Sequence, residues 1–223
     1  MRRRRHAALA CAGLLWLAAA GADEINEGEL HFLSNPPAEP PHHHTRHILI
    51  THDSLRTGWV TSKQCHHNLD RVRAMEIVFG AGRVRNLRVL RADNIGRTWI
   101  EGDSVQMETI GANAVICLIS ENRALDYNPV LKTYTLASGP FMRRFLDGYF
   151  PIRVSLAIDY PTDALTLKEL NPPELRLYAT TPPGHVRIDT LFEGRLTVEA
   201  QLAPHGDDSG RRLPPLPFPD PLP

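Results

Sequence analysis

The chain has 223 residues, with 25 basic and 25 acidic side chains and a formal net charge of zero. Four of the basic residues, Arg2 to Arg5, lie in the first 22 positions, which hold no acid, so removal of that segment leaves 21 basic residues against 25 acidic ones. A mildly acidic chain of this kind argues against a nucleic-acid partner, which needs a net basic surface, and its length suffices for one good core or two small ones.

Residues 1–22 read as a secretory signal peptide. Arg2 to Arg5 form its positive start, Ala7 to Ala19 its apolar run, and Ala18, Ala20 and Ala22 its small-residue cleavage positions. The apolar run is too short for a membrane span. Cys11 falls inside it, and no later apolar stretch is long enough to cross a bilayer, so no transmembrane segment is expected after cleavage. The alanine-rich signal predicts a periplasmic or secreted protein.

Residues 23–46 read as an extended Pro/His-rich leader. Asn35 to Pro41 is stiff and donor-poor, and His42, His43 and His44 follow it. The folded part is expected from His47, with Ile48-Leu49-Ile50 opening a strand and Trp59-Val60 a second. Residues 47–137 form a first β unit and a connector. In it Met75, Ile77 and Phe79 share one strand face, Gly80-Ala81-Gly82 turns, Leu87 and Val89 flank Arg88, and Asp93-Asn94 turns again. The Glu101-Gly102-Asp103 turn introduces a strand over Val105 to Ile110, and Gly111-Ala112-Asn113 closes a hairpin into Val115 to Ile119. Glu121 to Ala137 is left as the connector.

Residues 138–203 read as a short helix followed by a second β unit. Phe141, Met142, Phe145, Leu146 and Tyr149 recur at helical spacing after Ser138 and Pro140, which are suitable start signals. Ile152 to Tyr160, Leu165 to Leu167 and Leu175 to Ala179 read as strands. After the Thr181-Pro182-Pro183-Gly184 turn, His185 to Leu191 and Leu196 to Leu202 form a closing hairpin. The two units echo one another: Val105 to Ile110 reappears as Val186 to Leu191, offset by 81 positions, and self-similarity at a fixed spacing signals related units. The fold class is therefore mainly β, two related antiparallel units that are sandwich- or barrel-like, with one short connecting helix. Residues 204–223 form a proline-rich tail that cannot pair inside a sheet. It is either a ligand for a proline-binding groove or a stiff tail.

Two sets of side chains could carry chemistry. His42, His43, His44, His47, Cys65, His66 and His67 are ligand types for copper or zinc. They follow no CxxC, HExxH or haem-attachment spacing, and His66 and His67 would point to opposite faces of a regular strand. Cys65 and Cys117 are the two cysteines left after cleavage, and in an oxidising compartment they are candidates for a disulfide. Cys117, with Val115 and Ile119, is expected to face the core. Arg83, Arg85, Arg88 and Arg91 form a possible face for an anionic ligand or an acidic partner, or a solvated face paired with neighbouring acids. No nucleophile elbow or other catalytic motif is present. The leading expectation is a non-enzymatic binding or assembly module of the cell envelope, with another envelope protein or an anionic ligand as partner. A metal-binding or metal-delivery protein is the alternative, and an enzyme without a recognisable motif the third.

Overall fold

A computed structural model describes residues 26–146 and 148–205. The expected signal peptide and residues 206–223 of the expected proline-rich tail lie outside the described residues, while Pro204, at the head of that tail, ends the last strand and pairs with Leu165. The described chain is mainly β. In order it runs through β1 (His31–Phe32), β2 (His42–Leu49), a short helix α1 (Ser54–Thr57), β3 (Trp59–Leu69), β4 (Ala74–Val78), β5 (Val84–Glu101) and β6 (Ser104–Arg123). It continues through β7 (Leu125–Asn128), β8 (Thr133–Phe141), β9 (Arg143–Phe145), β10 (Gly148–Phe150), β11 (Ile152–Asp159) and β12 (Leu165–Asn171). A single 3-10 turn over Pro173–Leu177 precedes β13 (Ala179–Thr180), β14 (His185–Glu193) and β15 (Leu196–Pro204).

A large mixed sheet has the order β1-β14-β11-β2-β3-β6-β4, with β13 beside β14 and β5 beside β6. A second sheet has the order β12-β15-β8-β7, and β9 and β10 form a separate ribbon. The pairing of β2 with β11 is parallel. Alternation on the strands sets the main core. Ile152, Val154, Leu156 and Ile158 of β11 and Val186, Ile188 and Phe192 of β14 point inward, and Leu196, Val198, Ala200 and Leu202 of β15 meet them from the second sheet. Burying apolar side chains between two sheet faces is what holds such a sandwich together.

A second core lies within the long β5–β6 hairpin. Asn94 and Asn113 take positive φ and the β5–β6 register shifts between Asp93 and Ile95, so the hairpin bends back on itself. The Phe79–Arg83 segment then touches both ends of β6: Phe79 N–H donates to Asp103 O at 2.9 Å, and Arg123 N–H donates to Arg83 O at 3.0 Å. Inside the bend Val105, Met107, Ile110, Ile116 and Leu118 are buried, with Met75, Ile77, Phe79, Leu87 and Val89 packed on them.

Between the two cores the inner face of the large sheet turns polar. Ile116 of β6 is followed across the strands by His66 of β3, His44 of β2 and Val154 of β11; the next row runs Leu118, Gln64, Arg46 and Leu156. Ser62, Ser120 and Asn122 are buried on the same stretch.

Several expectations change. Folding starts upstream of His47, because β2 begins at His42, and His42 to His44 are strand residues in the middle of the sheet rather than part of a leader. The helix expected after Ser138 is instead the end of β8 and the β9–β10 hairpin. Its helical spacing arose by coincidence, since Phe141 and Tyr149 are buried from different strands while Met142, Phe145 and Leu146 are exposed. Gly111-Ala112-Asn113 bends a continuous β6 rather than closing a hairpin, and the supposed connector holds β7 and most of β8. Leu175 belongs to the 3-10 turn that follows Pro172 and Pro173. His185–Glu193 and Leu196–Pro204 are not paired with each other: they lie in different sheets, joined by an arch at Gly194. The echoed segments accordingly differ in context: Val105 to Ile110 is the first part of the long β6, whereas Val186 to Leu191 lies within the shorter β14.

Candidate functional site

Strand alternation divides the histidine set between two faces of the sheet. His42, His44 and His66 point inward and His43, His47 and His67 outward, as the pairing of His44 with His66 and of His43 with His67 requires. On the inner side His42 Nε2 lies 3.1 Å from His66 Nδ1, the His44 and His66 rings stack with centroids 4.0 Å apart, and Phe141 closes over His44 edge-on. The Nε2 atoms of His44 and His66 are buried without a hydrogen-bond partner among the described residues. Burial disfavours the charged form of all three. It pushes His42 down to about 4, against the partial opposition of Asp70, and holds His44 and His66 well below the ordinary histidine value. Beside them Arg46 Nε donates to Ser62 Oγ at 3.0 Å. No carboxylate pairs with Arg46 among the described residues, and desolvation lowers it to about 10, which leaves it ionised at neutral pH.

Cys65 and Cys117 are directly opposite on β3 and β6 and form a disulfide. The bridge removes the only sulfur ligand from the copper or zinc set. Among the described residues no three His, Cys, Asp or Glu side chains are grouped to hold a metal ion. Cys117 does not face the core. It shares the outer face with Val115 and Ile119, while Ala114, Ile116 and Leu118 face inward. The run Ala114 to Ile119 is apolar throughout, so its parity could not be read from composition.

The outer face is where the arginine cluster goes. Each of two bulges adds a residue to β5, and as a result Arg85, Arg88 and Arg91 sit opposite Glu121, Ile119 and Cys117. Spacing of three plus a bulge places all three guanidinium groups on one side of the sheet. Arg83 lies outside the strand, and its Nη1 donates to Arg123 O at 3.3 Å. The face then reads as rows across six strands. One row is Arg85, Glu121, Thr61, Leu49, Asp159 and His185. The next is Arg88, Ile119, Lys63, His47, Ala157 and Arg187, and the third is Arg91, Cys117, Cys65, Thr45, Ser155 and Asp189.

Each carboxylate on these rows is already engaged. Arg85 donates to Glu121 at 2.6 Å, and Arg153 grips Asp189 with two hydrogen bonds at 2.9 and 2.8 Å. Arg91 pairs with Asp93. Asp159 holds His47 at 2.6 Å, His185 at 2.8 Å and Arg187 at 2.7 Å. Burial works against the charge of Asp159, but these three hydrogen-bonded partners outweigh it and lower its carboxyl to about 2. Arg88 and Lys63 form no ion pair among the described residues and flank Ile119 in the middle row.

No protein family, characterised protein or solved structure matches the chain.

The outer face also holds a serine, a histidine and an aspartate together. His43 Nε2 lies 2.8 Å from Ser155 Oγ, and Ser155 donates to Asp189 at 3.3 Å. The serine stands between the other two. In a hydrolytic triad the histidine must stand in the middle, with a carboxylate behind it, so this order activates no nucleophile. Sequence reading overlooked Arg46 and Asp159 because nothing local marks a residue whose partners lie on other strands: Arg46 meets Ser62 of β3, and Asp159 meets His47 of β2 together with His185 and Arg187 of β14.

Proposed function

We propose that the protein is a non-enzymatic binding module of the cell envelope, exported to the periplasm or beyond, that docks an acidic partner protein on the outer face of its large sheet. The observation that carries this reading is the middle row of that face. Arg88 and Lys63 lie exposed on either side of Ile119, with no acid left on the neighbouring rows to neutralise them. Uncompensated cations around a partly buried apolar residue suit the capture of a complementary acidic patch, where charge steers the encounter and sets the register. The Cys65–Cys117 bridge at the centre of the face fits an oxidising compartment, and among the described residues no helix is long and apolar enough to cross a membrane.

The test is site-specific photo-crosslinking in intact cells. A crosslinking side chain at Thr61, exposed beside Lys63, should give a discrete adduct, and the same group at Thr197, exposed on the second sheet, should give none. Reversing Arg88→Glu and Lys63→Glu should remove the Thr61 adduct. An adduct that survives the reversal, or equal labelling from Thr197, would reject this face as the docking site.

A further inference from the structure

We propose that the β9–β10 hairpin is a membrane-contact site that seats the protein on an anionic phospholipid bilayer. This is independent of the basic sheet face. The base of the hairpin is pinned. Arg143 donates to both oxygens of Asp70, at 3.1 and 2.6 Å, and Tyr149 is buried, its N–H donating to Asn26 O at 3.2 Å. Yet the hairpin displays four large apolar side chains: Met142 is 42% exposed, Phe145 52%, Leu146 78% and Phe150 40%. Phe145 and Phe150 share one face of the hairpin, Leu146 follows at its turn and Met142 precedes its first strand, and so many exposed apolar side chains on one short ribbon are uncommon on a surface that only water covers.

The surroundings select the occupant. Phe145 and Phe150 line a cleft of about 250 Å³ closed on its other side by Asp70 to Val72. A broader groove of about 800 Å³ runs on past Arg71 and Arg73. Arg144 and Arg195 each lie over the ring of Tyr149, at 5.9 and 5.3 Å. None of Arg71, Arg73, Arg144 and Arg195 forms an ion pair among the described residues. Glu108 in the groove offsets only part of this charge. Apolar and aromatic side chains ringed by arginine match the interface of an anionic bilayer, where the rings and aliphatic groups enter the headgroup boundary and the guanidinium groups meet phosphates. A second copy of the chain fits poorly, because two such arginine collars would face each other.

The chain from residue 23, which contains every described residue, is sedimented with vesicles of phosphatidylcholine alone or mixed with phosphatidylglycerol. Binding should require phosphatidylglycerol and weaken as salt rises. Exchanging Phe145→Ser and Leu146→Ser should each lower the partition constant by about tenfold or more, with the thermal transition unchanged because both side chains are exposed. Arg71→Glu with Arg144→Glu should remove the preference for phosphatidylglycerol. In a Leu146→Trp variant the indole emission should shift to the blue on adding those vesicles. Failure to bind them, or binding unaffected by the serine exchanges, overturns the proposal. A dimer in sedimentation velocity that the serine exchanges dissolve, without lipid binding, would assign the surface to self-association instead.

Discussion

His42, His44 and His66 are bases that the fold keeps neutral, and their effect on stability has a definite sign. An imidazole whose folded-state proton affinity is depressed binds fewer protons in the fold than in the unfolded chain, so stability falls as pH drops through the unfolded value of 6.5. For His42 the loss is complete only below a pH of about 4, and by then amounts to about 3 kcal/mol. Asp159 acts in a lower window. Its carboxyl is depressed from 3.8 to about 2, so its contribution is present above 3.8 and disappears as pH falls toward 2. Urea midpoints should therefore decline between pH 6.5 and 4, and His42→Leu should flatten that decline, whereas Asp159→Asn should lower the midpoint at every pH above 3.8 and remove only the part of the pH dependence that lies between 3.8 and about 2. An unchanged midpoint from pH 7 to 4.5 would contradict the buried, neutral state of these rings. The disulfide is also a residue-scale matter. Bridging positions 52 apart restricts the unfolded chain, so the Cys65→Ala and Cys117→Ala double variant should lose roughly 4 kcal/mol in urea unfolding, and a reducing agent should shift the wild type by a similar amount. Cysteine count and compartment already suggested this pairing. The opposite facing of His66 and His67 was legible from alternation, whereas that of His42 to His44 was not, because the proline-rich run before them hid the start of β2, and the burial of the inner three depends on the sheet that covers them.

Elements show where local pattern suffices and where it fails. The alternation of Ile152 to Asp159 and of Met75, Ile77 and Phe79 is legible because each strand has one wet and one dry face. Arg85, Arg88 and Arg91 share a face for a reason that a period of two would deny, since only the bulges in β5 bring them into line. The β14–β15 pair looked like a hairpin because an arch between sheets and a turn within one leave the same alternating signature. Gly194 is the residue that makes the arch. It takes φ of +89°, and a side-chain carbon there would run into the carbonyl of Glu29 in the N-terminal segment. Gly194→Ala should thus combine backbone strain with displacement of residues 26–33, at a cost on the order of 1–3 kcal/mol. Limited proteolysis should show new cleavage within that segment. Wild-type resistance in the variant would mean that the segment is held by something other than its packing on the arch.

At the scale of the whole molecule the chain has two apolar cores, but they do not follow the two echoed units, because the main core takes Ile48, Ile50, Leu55 and Val60 from the first unit along with the strands of the second. The strand β6 pairs with β3 over one half and with β4 over the other, and β5 follows it through both. The polar strip of His44, His66, Gln64 and Arg46 lies between the cores on shared strands, so neither core can open without exposing that strip. Unfolding should consequently be a single event. The chain from residue 23 keeps two tryptophans, Trp59 at the start of β3 and Trp99 in the bent half of β5. Trp59→Phe and Trp99→Phe variants each leave one reporter, and their urea transitions should coincide with each other and with the loss of β circular dichroism. Met107, 1% exposed in the second core, sharpens the comparison. Met107→Ala should destabilise by about 2–5 kcal/mol and move both reporters together. If only the Trp99 transition moved, the hairpin core would be an independent unit, and the shared strand would carry no cooperativity between the two.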